Sequence, residues 1–313
     1  MRVFRHYDAL PSELRGGAVA LGNFDGLHRG HQLLLEQTRC TAHAAGTKAT
    51  VLTFEPHPRQ LFRPNDPPFR LSSLRTKLHL LEEAGLDAAV VLHFDWDLAK
   101  MPAERFIDEV VAAGLAPAEV IVGGDFRFGH RRVGDLAMLR SRGADRSFKV
   151  KDFPPVRDEN GDIISSSRVR DALRAGKPQQ AQALLGRPWE MEGRIVHGDK
   201  RGRELGYPTA NLRVSNFLRP AYGVYAVRAG IDYGSDTVWL DGVANYGIRP
   251  MYEVPEPLLE VFLFDFDEDI YGRHLRVQMV SFLRGEMKFD GIDALIQQMD
   301  QDSASARTIL AAA

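Results

Sequence analysis

Residues 18–31 read Ala-Val-Ala-Leu-Gly-Asn-Phe-Asp-Gly-Leu-His-Arg-Gly-His, and this stretch decides the fold of the first half of the chain. Its apolar beginning, Ala18–Leu21, predicts a buried strand, and the residues that follow it, 32–37, predict a helix. A strand, a tight glycine-containing turn and a helix place a helix N-terminus where it can hold an anion. His28 and His31 are three residues apart, a spacing that shares one helix face, so both can donate to one phosphate chain. The stretch therefore predicts attack on the α-phosphate of a nucleotide, with pyrophosphate as the leaving group.

The glycines of this stretch allow a second interpretation, in which they only shape a turn and the two histidines are ordinary surface residues. The full pattern Gly-x-Phe-Asp-Gly-x-His-x-Gly-His is much more specific than a His-x-x-His pair, and it resembles the HxGH nucleotidyltransferases. It is neither a P-loop nor a dinucleotide-binding glycine motif, because the residues that define those motifs are missing. Asp25 is equally compatible with fixing the turn and with touching the nucleotide. The nucleotide-binding candidates here are Gly22, Phe24, Asp25 and Gly30.

Length and composition bound the class of protein. A chain of 313 residues suggests about two domains, and 44% hydrophobic with 26% charged residues is typical of an ordinary soluble protein. The formal net charge of −2 creates no field that attracts nucleic acid or an anionic membrane, so small molecules are the expected partners. The single cysteine, Cys40, allows no intrachain disulfide, and the sequence contains no recognisable membrane span or signal peptide. We therefore predict a cytoplasmic protein, with Cys40 in the core of the first helix.

Between residues 17 and 152, short apolar runs alternate with amphipathic stretches, which predicts βαβ units and a parallel sheet. The predicted strands are Ala18–Leu21, Ala49–Phe54, Ala88–Leu92, Val120–Val122 and Phe148–Val150, and the predicted helices lie near 31–44, 73–84 and 103–113. Ligands of such sheets bind at the carboxyl ends of the strands. The histidine pair, residues 56–58 and residues 123–128 all follow predicted strands, so we expect them to gather at one edge.

The pattern of predicted secondary structure changes near residue 186, after two predicted helices within residues 168–185. Short strands separated by Gly, Pro and Asp then predict an all-β barrel or sandwich. These strands are Glu192–Val196, Val224–Arg228, Thr237–Val243, Leu258–Phe264 and Leu275–Phe282, followed by a helix that contains Ile292 and Met299. The predicted domains are 1–186 and 187–313.

Residues 193–211 contain a second candidate site, dense in glycine and basic residues. Glycines allow close backbone approach to a ligand, and Lys200 and Arg203 can meet phosphates. A proline stiffens the chain just before Thr209 and Asn211, whose side-chain oxygens can both turn toward one Mg²⁺. The alternative is a basic surface loop with a turn.

Glu260 interrupts the apolar run 258–264, where period-two alternation puts it on one face with Leu258, Phe262 and Phe264. A carboxylate buried there costs several kcal/mol unless it is paired or has a role. Burial also raises a carboxyl pKa toward the range of a general base. The alternatives are an edge position that faces solvent and a structural ion pair.

Taken together, these segments resemble the prokaryotic bifunctional riboflavin kinase/FAD synthetases, from about residue 15 to residue 308. The motifs that carry the resemblance are 22–31, Thr53–Pro58, Val122–Gly129, Ile164–Arg170, Gly206–Asn211, Gly242–Gly247, the strand with Glu260 and Lys288–Asp290. The resemblance implies a Rossmann-like α/β nucleotidyltransferase domain followed by a six-stranded riboflavin kinase barrel with a C-terminal helix. It implies two reactions: riboflavin and ATP give FMN and ADP, and FMN and ATP then give FAD and pyrophosphate.

With this resemblance, we predict a role for each candidate residue. In the second half, Glu260 takes the proton of the ribityl 5′-hydroxyl, Thr209 and Asn211 hold Mg²⁺ and the ATP phosphates, and a segment with Gly198, Lys200 and Arg203 closes over the nucleotide. In the first half, His28 and His31 stabilise the charge on the departing pyrophosphate. The hydroxyls of Ser165, Ser166 and Ser167, with Arg168 or Arg170, hold the β- and γ-phosphates, and Asp125 and Phe54 contact the flavin.

Two residues depart from the family pattern. Ser167 stands where a threonine is usual, which keeps the hydroxyl, and Met251 stands where the family commonly has threonine, which removes a polar group near the kinase site. Three other functions remain open: transfer to a different phosphate ester, a non-catalytic flavin-binding regulator, and a metal hydrolase that uses His28, His31 and His57. No pattern in the sequence favours a particular oligomeric state.

Overall fold

The computed structural model describes residues 1–8, 10–197, 206–234, 236–248 and 257–313. Their contacts group into two compact units. Unit 1 comprises Met1–Asp66 with Leu74–Ile164, and unit 2 comprises Pro67–Ser73 with Ser165–Ala313. Each unit contains a sheet of its own, parallel in unit 1 and antiparallel in unit 2.

Within the described residues, the strands of unit 1 form a six-stranded parallel sheet with the order β1-β4-β3-β2-β5-β6. These strands are β1 Arg2–Phe4, β2 Ala18–Leu21, β3 Ala49–Glu55, β4 Ala88–His93, β5 Glu119–Gly123 and β6 Lys149–Phe153. The helices are α1 Arg29–Ala44, α2 Pro58–Phe62, α3 Leu74–Glu83, α4 Trp96–Ala99, α5 Ala103–Arg105 with its π-helical continuation Phe106–Leu115, and α6 Leu136–Asp145.

The central strands are apolar along their whole length because the sheet is covered on both faces. Val19 and Leu21 of β2 pack in one hydrophobic cluster, and Ala20 packs in another. Continuous apolar runs are typical of parallel strands enclosed in this way. The strand order reverses between β2 and β5, and ligands of open α/β sheets bind beyond the carboxyl ends of the strands at such a point.

The strands and helices of unit 1 confirm the predicted α/β architecture, with differences of a few residues at the ends. The structure adds β1, which pairs with β4 at the edge of the sheet, the short helices α2 and α4, and the ten-residue helix α6. One local prediction is wrong: Cys40 is exposed on α1, where its thiol donates to Glu36.

The strands of unit 2 form a closed antiparallel barrel, which in the described residues has the order β10-β11-β8-β7-β12-β9. They are β7 Trp189–Val196, β8 Thr209–Arg213, β9 Gly223–Asp232, β10 Thr237–Ile248, β11 Pro257–Leu263 and β12 His274–Arg284. The helices of this unit are α7 Ser166–Arg174, α8 Pro178–Leu185 and α9 Ile292–Ala311. The barrel and its final helix confirm the predicted fold, while β8 is a short strand that was not among the predicted ones.

The predicted domain boundary at residue 186 stays a prediction. The contact grouping changes earlier, after Ile164, because α7 and α8 belong to unit 2. Helix α8 contacts β7 and β12. Gly176 lies between α7 and α8, and a Cβ added to it would be 3.3 Å from the ring of Phe282 on β12.

Candidate functional site

The turn after β2 is held in a strained conformation by two buried apolar side chains. Phe24 and Leu27 have positive φ angles of 49° and 42°, a region that non-glycine residues rarely occupy. Such strain costs about 1–3 kcal/mol for each residue. Both side chains are only 1% exposed and pack in the cluster that contains Leu35, and each such burial returns about 1.5–3 kcal/mol. The core therefore fixes the turn, and any nucleotide contact by Phe24 must come from its backbone.

Two of the predicted nucleotide-binding glycines make room for neighbouring rings. A Cβ on Gly22 would lie 3.0 Å from the Phe24 ring, and a Cβ on Gly30 would lie 3.2 Å from the His28 ring. The same Cβ on Gly30 would lie 3.8 Å from the carbonyl oxygen of Ile164, the residue that directly precedes the serine run. Asp25, at 4% exposure, is buried within the turn. These residues build the shape of the turn, and their contact with a nucleotide stays a prediction.

His28 caps helix α1 rather than lying within it. Its backbone is extended, with φ −64° and ψ 167°, and its Nδ1 accepts a hydrogen bond of 3.3 Å from the backbone N–H of His31. An accepting Nδ1 carries no proton, so the neutral ring carries its proton on Nε2. The cap therefore fixes the tautomer in which Nε2 of His28 is a donor.

The two predicted catalytic histidines lie together, as their spacing predicted. They do so by stacking their rings at the start of α1, and not by sharing one face within the helix. The rings of His28 and His31 stack with centroids 3.7 Å apart and an interplanar angle of 16°. The Phe24 ring meets His31 edge-on, with centroids 5.2 Å apart. Imidazole donors at the N-terminus of α1, next to the strand-order reversal, form an arrangement suited to a phosphate chain.

A cluster of aromatic side chains follows β3 and β4 and was only partly anticipated. Phe54 meets Phe94 with ring centroids 5.6 Å apart, and Phe62 meets Phe94 and Trp96 at 6.0 and 5.8 Å. Phe62 and Trp96 are 55% and 51% exposed. Exposed aromatic surface of this kind is typical of a ligand-binding site. The signal that could have found it is the pair of aromatics at 94 and 96, immediately after a strand.

The predicted flavin contact Asp125 follows β5 and is exposed. A Cβ on Gly123 would lie 3.2 Å from its Oδ1, so the carboxylate folds back over the end of the strand. Its role toward a flavin stays a prediction.

The predicted phosphate-binding residues 165–170 form the start of α7 in unit 2. The Ser165 hydroxyl caps the helix by accepting a hydrogen bond of 3.4 Å from the backbone N–H of Arg168, and the hydroxyl proton remains available to an anion. Arg170 donates to the Phe69 carbonyl at 2.8 Å, and its guanidinium lies 5.4 Å from the Phe69 ring centroid. Arg170 thus has a structural contact of its own, and the phosphate role of Ser165, Ser166, Ser167 and Arg168 or Arg170 stays a prediction.

In the barrel, the register brings Asn211, Glu260 and Asn245 into one row. Asn211 of β8 pairs with Glu260 of β11, which pairs on its other side with Asn245 of β10. Asn211 is 4% exposed, its Nδ2 donates to the Thr209 carbonyl at 3.2 Å, and its Oδ1 is buried without a hydrogen-bond partner in the structure. Leaving a buried acceptor unsatisfied costs about 1–3 kcal/mol, so this oxygen suits a ligand that supplies positive charge.

The expected enclosure of Glu260 in an apolar environment is wrong. Along β11 the buried residues are Leu259, Val261 and Leu263, which face the barrel interior, while Glu260 and Phe262 lie half-buried on the outer face. The strand alternates as predicted, but the face that carries Glu260 is the outer one. Glu260 is therefore half-buried outside the barrel interior, and its role as a base stays a prediction.

Some predicted residues lie outside the described part of the chain. These are Gly198, Lys200 and Arg203 of the second candidate site, and the family departure Met251. Across the described residues, no group of three or more His, Cys, Asp or Glu side chains is arranged to hold a metal ion. In the same residues, no helix combines the length and apolar character needed to cross a bilayer.

Two protein-family models match the chain. The model described as FAD synthetase matches residues 10–168, and the model described as riboflavin kinase matches residues 185–310. Relatives named bifunctional riboflavin kinase/FMN adenylyltransferase include one from Haemophilus influenzae, 38% identical over 94% of this chain and 94% of its own length. Another, from Pseudomonas fluorescens, is 39% identical over 99% of this chain and 98% of its own length.

A solved structure from Streptococcus pneumoniae has the same fold over both units. It is described as a macrolide-efflux protein, and it matches with a TM-score of 0.85 and 30% identity over 97% of this chain and 98% of its own. That description concerns the other protein, and the shared fold is what the match contributes here. On the family models and the relatives, this chain belongs to the bifunctional riboflavin kinase/FMN adenylyltransferase family.

Proposed function

We propose that this chain makes FAD in two steps, with riboflavin phosphorylated in unit 2 and the resulting FMN adenylylated in unit 1. The observation that supports the proposal is that one chain contains two different sets of side chains, each suited to a different reaction of ATP. Unit 1 has a stacked histidine pair at a helix N-terminus, and unit 2 has a carboxylate beside a buried amide oxygen. These match the requirements of nucleotidyl transfer and of phosphoryl transfer to an alcohol.

In the kinase step, Glu260 accepts the proton of the ribityl 5′-hydroxyl while the hydroxyl oxygen attacks the γ-phosphorus of ATP and ADP leaves. Phosphoryl transfer depends mostly on positioning and charge neutralisation, so a half-buried carboxylate suffices as the base. The position of Glu260 on the outer face, opposite Asn211, supports this role.

The proposal includes a Mg²⁺ ion with Thr209 Oγ1 and Asn211 Oδ1 among its ligands. Hydroxyl and amide oxygens suit this hard cation, and the unsatisfied buried Oδ1 of Asn211 fits a site for it. When bound, the ion neutralises charge on the ATP phosphates. Asn211 itself is held in place by its Nδ2 bond to the Thr209 carbonyl, so the two candidate ligands are positioned as a pair.

In the adenylylation step, a phosphate oxygen of FMN attacks the α-phosphorus of ATP, and pyrophosphate leaves. The nucleophile is already an anion, so the protein has to bring two anions together and stabilise the charge that develops on the leaving group. The fixed Nε2 donor of His28, the stacked His31 and the N-terminus of α1 support this role.

We assign the flavin ring of the second step to the exposed aromatic cluster of Phe54, Phe62, Phe94 and Trp96. A tricyclic flavin offers two apolar faces, and aromatic side chains stack on such faces favourably. The cluster follows the carboxyl ends of β3 and β4, the edge of the sheet at which ligands bind. Asp125, at the end of β5, is assigned a polar contact with the same ring.

We further propose a cytoplasmic location. Both steps consume ATP, which is a cytoplasmic metabolite, and the single cysteine makes the fold independent of intrachain disulfides.

A time course with purified protein, riboflavin, ATP and Mg²⁺, with the flavins separated by chromatography, tests the proposal. We expect FMN first and FAD afterwards. FMN that never proceeds to FAD, even when reduced FMN is supplied, would remove the adenylylation step from the account. No flavin product under any condition would contradict both steps and favour another acceptor or a binding protein.

A further inference from the structure

Tyr207 connects the entry of strand β8 to the C-terminal helix α9. Its hydroxyl donates a hydrogen bond to Asp300 of α9, and its ring lies 4.8 Å, centroid to centroid, from the ring of Phe262 on β11. A phenol that donates to a carboxylate makes a charge-assisted hydrogen bond, which is stronger than a neutral one. The contact is therefore more than packing: it ties one end of the barrel wall to a particular residue of the helix.

The hydroxyl of Tyr207 stays a donor over the whole physiological pH range. Burial, together with the Asp300 carboxylate that accepts its proton, raises the pKa of Tyr207 to about 12. The phenol is consequently neutral and able to donate at pH 7.

The position of Tyr207 links it to Thr209, a proposed Mg²⁺ ligand, and to the strand that carries Glu260, the proposed base. Only Pro208 separates it from Thr209, and the proline ring fixes one of the intervening backbone torsions. Thr209 pairs directly with Phe262, whose ring Tyr207 contacts, and Phe262 lies two residues beyond Glu260 on the same face of β11. A shift of Tyr207 is thus transmitted to Thr209 through a stiff dipeptide and through a shared ring contact.

Helix α9 is a fixed reference because it is held at other points. Arg284 of β12 clasps Asp302 through three contacts of 2.7, 3.0 and 3.0 Å, and both side chains are largely buried. Arg228 of β9 donates to the Leu310 carbonyl at 2.9 Å. Asp300 lies two residues before Asp302 on the same helix, so the backbone that carries Asp300 is held independently of Tyr207.

We propose that Tyr207 is a positioning residue of the kinase site, which holds Thr209 and Asn211 in place for Mg²⁺ and ATP by hydrogen bonding to Asp300 of the C-terminal helix. This inference rests on the proposed kinase function of unit 2. Removing the hydroxyl leaves helix α9 docked through Arg284, but it frees the beginning of β8. The defect therefore falls on the binding of MgATP and spares the fold.

The test measures FMN formation from riboflavin in the full-length chain while ATP and Mg²⁺ are varied together. Tyr207→Phe is expected to raise KM for MgATP about three- to tenfold while kcat changes by less than about twofold. Asp300→Ala should raise KM in the same direction, and the double variant should be no worse than Tyr207→Phe, because that variant already lacks the bond to Asp300 as well as the hydroxyl's contact with Ser303. Asp300→Asn keeps an acceptor and should recover most of the wild-type KM.

Arg307→Met is the matched control. It removes another attachment of α9, the exposed ion pair with Asp265 at 2.8 and 3.0 Å, and leaves the bond between Tyr207 and Asp300 in place. The control is expected to leave KM for MgATP unchanged. Urea unfolding of each variant checks that its barrel is folded, and FAD formation from supplied FMN checks unit 1.

Four outcomes overturn the inference while leaving the kinase assignment intact: an unchanged KM in Tyr207→Phe, additive effects in the double variant, no recovery by Asp300→Asn, or an equal KM rise in Arg307→Met. Absence of FMN formation in the wild-type chain would instead overturn the proposed kinase function itself. The two failures are therefore distinguishable within one experiment.

Discussion

His28 has two tasks that a single substitution can separate. Its Nδ1 caps helix α1, and its Nε2 is the donor that we assign to the phosphates of the adenylylation step. Asparagine is among the best N-cap residues, so His28→Asn keeps an acceptor for the N–H of His31 but removes the Nε2 donor. Alanine removes both functions. The pair of variants therefore distinguishes a stability defect from a catalytic one.

The expected sizes follow from the contacts. Loss of the cap costs about 1 kcal/mol, and loss of the ring stack with His31 costs a further ~0.5–1.5 kcal/mol. His28→Ala should thus unfold more easily by about 2 kcal/mol and His28→Asn by about 1 kcal/mol. Removing one preorganised donor to transition-state charge costs about 10²- to 10³-fold in kcat, and this loss applies to both variants.

The assay is FAD formation from supplied FMN, with FMN formation from riboflavin measured in the same preparation and unfolding followed by urea titration. We expect both variants to accumulate FMN and to make FAD at least about a hundredfold more slowly than the wild type. FAD synthesis by a folded His28→Asn variant at close to the wild-type rate would refute the donor role. A loss that appears only in His28→Ala would reduce His28 to a helix cap.

Three further predictions address the kinase site and the stability of unit 1. Glu260→Gln should lower FMN formation at least about a hundredfold while FAD formation from FMN continues, because only the base is removed; loss of both activities in a folded variant would contradict this. Thr209→Val, which replaces a hydroxyl with a methyl of similar size, should raise the Mg²⁺ concentration needed for half-maximal kinase activity, and an unchanged Mg²⁺ titration would remove Thr209 from the ion. Burial raises the pKa of Asp87, but hydrogen bonds of 2.9 Å from the Ala49 N–H and from Lys48 outweigh it and leave the pKa below its ordinary value. The stability from Asp87 is therefore present above the ordinary carboxyl pKa of about 3.9 and is lost as the pH falls through the lower folded value. Asp87→Asn should reduce the free energy of unfolding by about 1–2 kcal/mol at pH 7 and much less at pH 2, whereas an equal loss at both pH values would refute the assignment.

The α/β half was predictable because its central strands are buried on both faces. Such strands are continuous apolar runs, and Ala18–Leu21 was located to the residue. The strand β1 was missed because Arg2–Phe4 has only three residues and is mostly exposed. Its pairing with β4 is decided by tertiary contacts that local sequence does not encode.

The barrel site was predictable in its residues but not in its geometry. Thr209 and Asn211 were chosen for their oxygens and for the motif, whereas the strand that carries them, β8, is only five residues long, with Ala210 and Leu212 as its apolar residues, and is too short for its alternation to identify a strand with any certainty. Alternation placed Glu260 correctly relative to its neighbours, but it could not tell the interior face of a barrel from the outer one. That distinction depends on which strands pair and how the sheet closes.

Contacts between residues far apart in sequence carry the rest of both sites. The aromatic cluster brings Phe54 and Phe62 together with Trp96, and the Tyr207 bond to Asp300 spans 93 residues. No periodicity or motif in one sequence indicates such pairs. They follow only from the register of the strands and the path of α9.

The central claim is that riboflavin attacks the γ-phosphorus of ATP in unit 2 and FMN attacks the α-phosphorus of ATP in unit 1. Isotope labelling tests this claim most directly. Purified protein is incubated with riboflavin and Mg²⁺, once with ATP labelled at the γ-phosphate and once with ATP labelled at the α-phosphate, and the labelled flavins are separated. The account predicts that the γ-label enters FMN and is carried into FAD, while the α-label enters FAD alone. α-Label in FMN, or FAD without α-label, would contradict it.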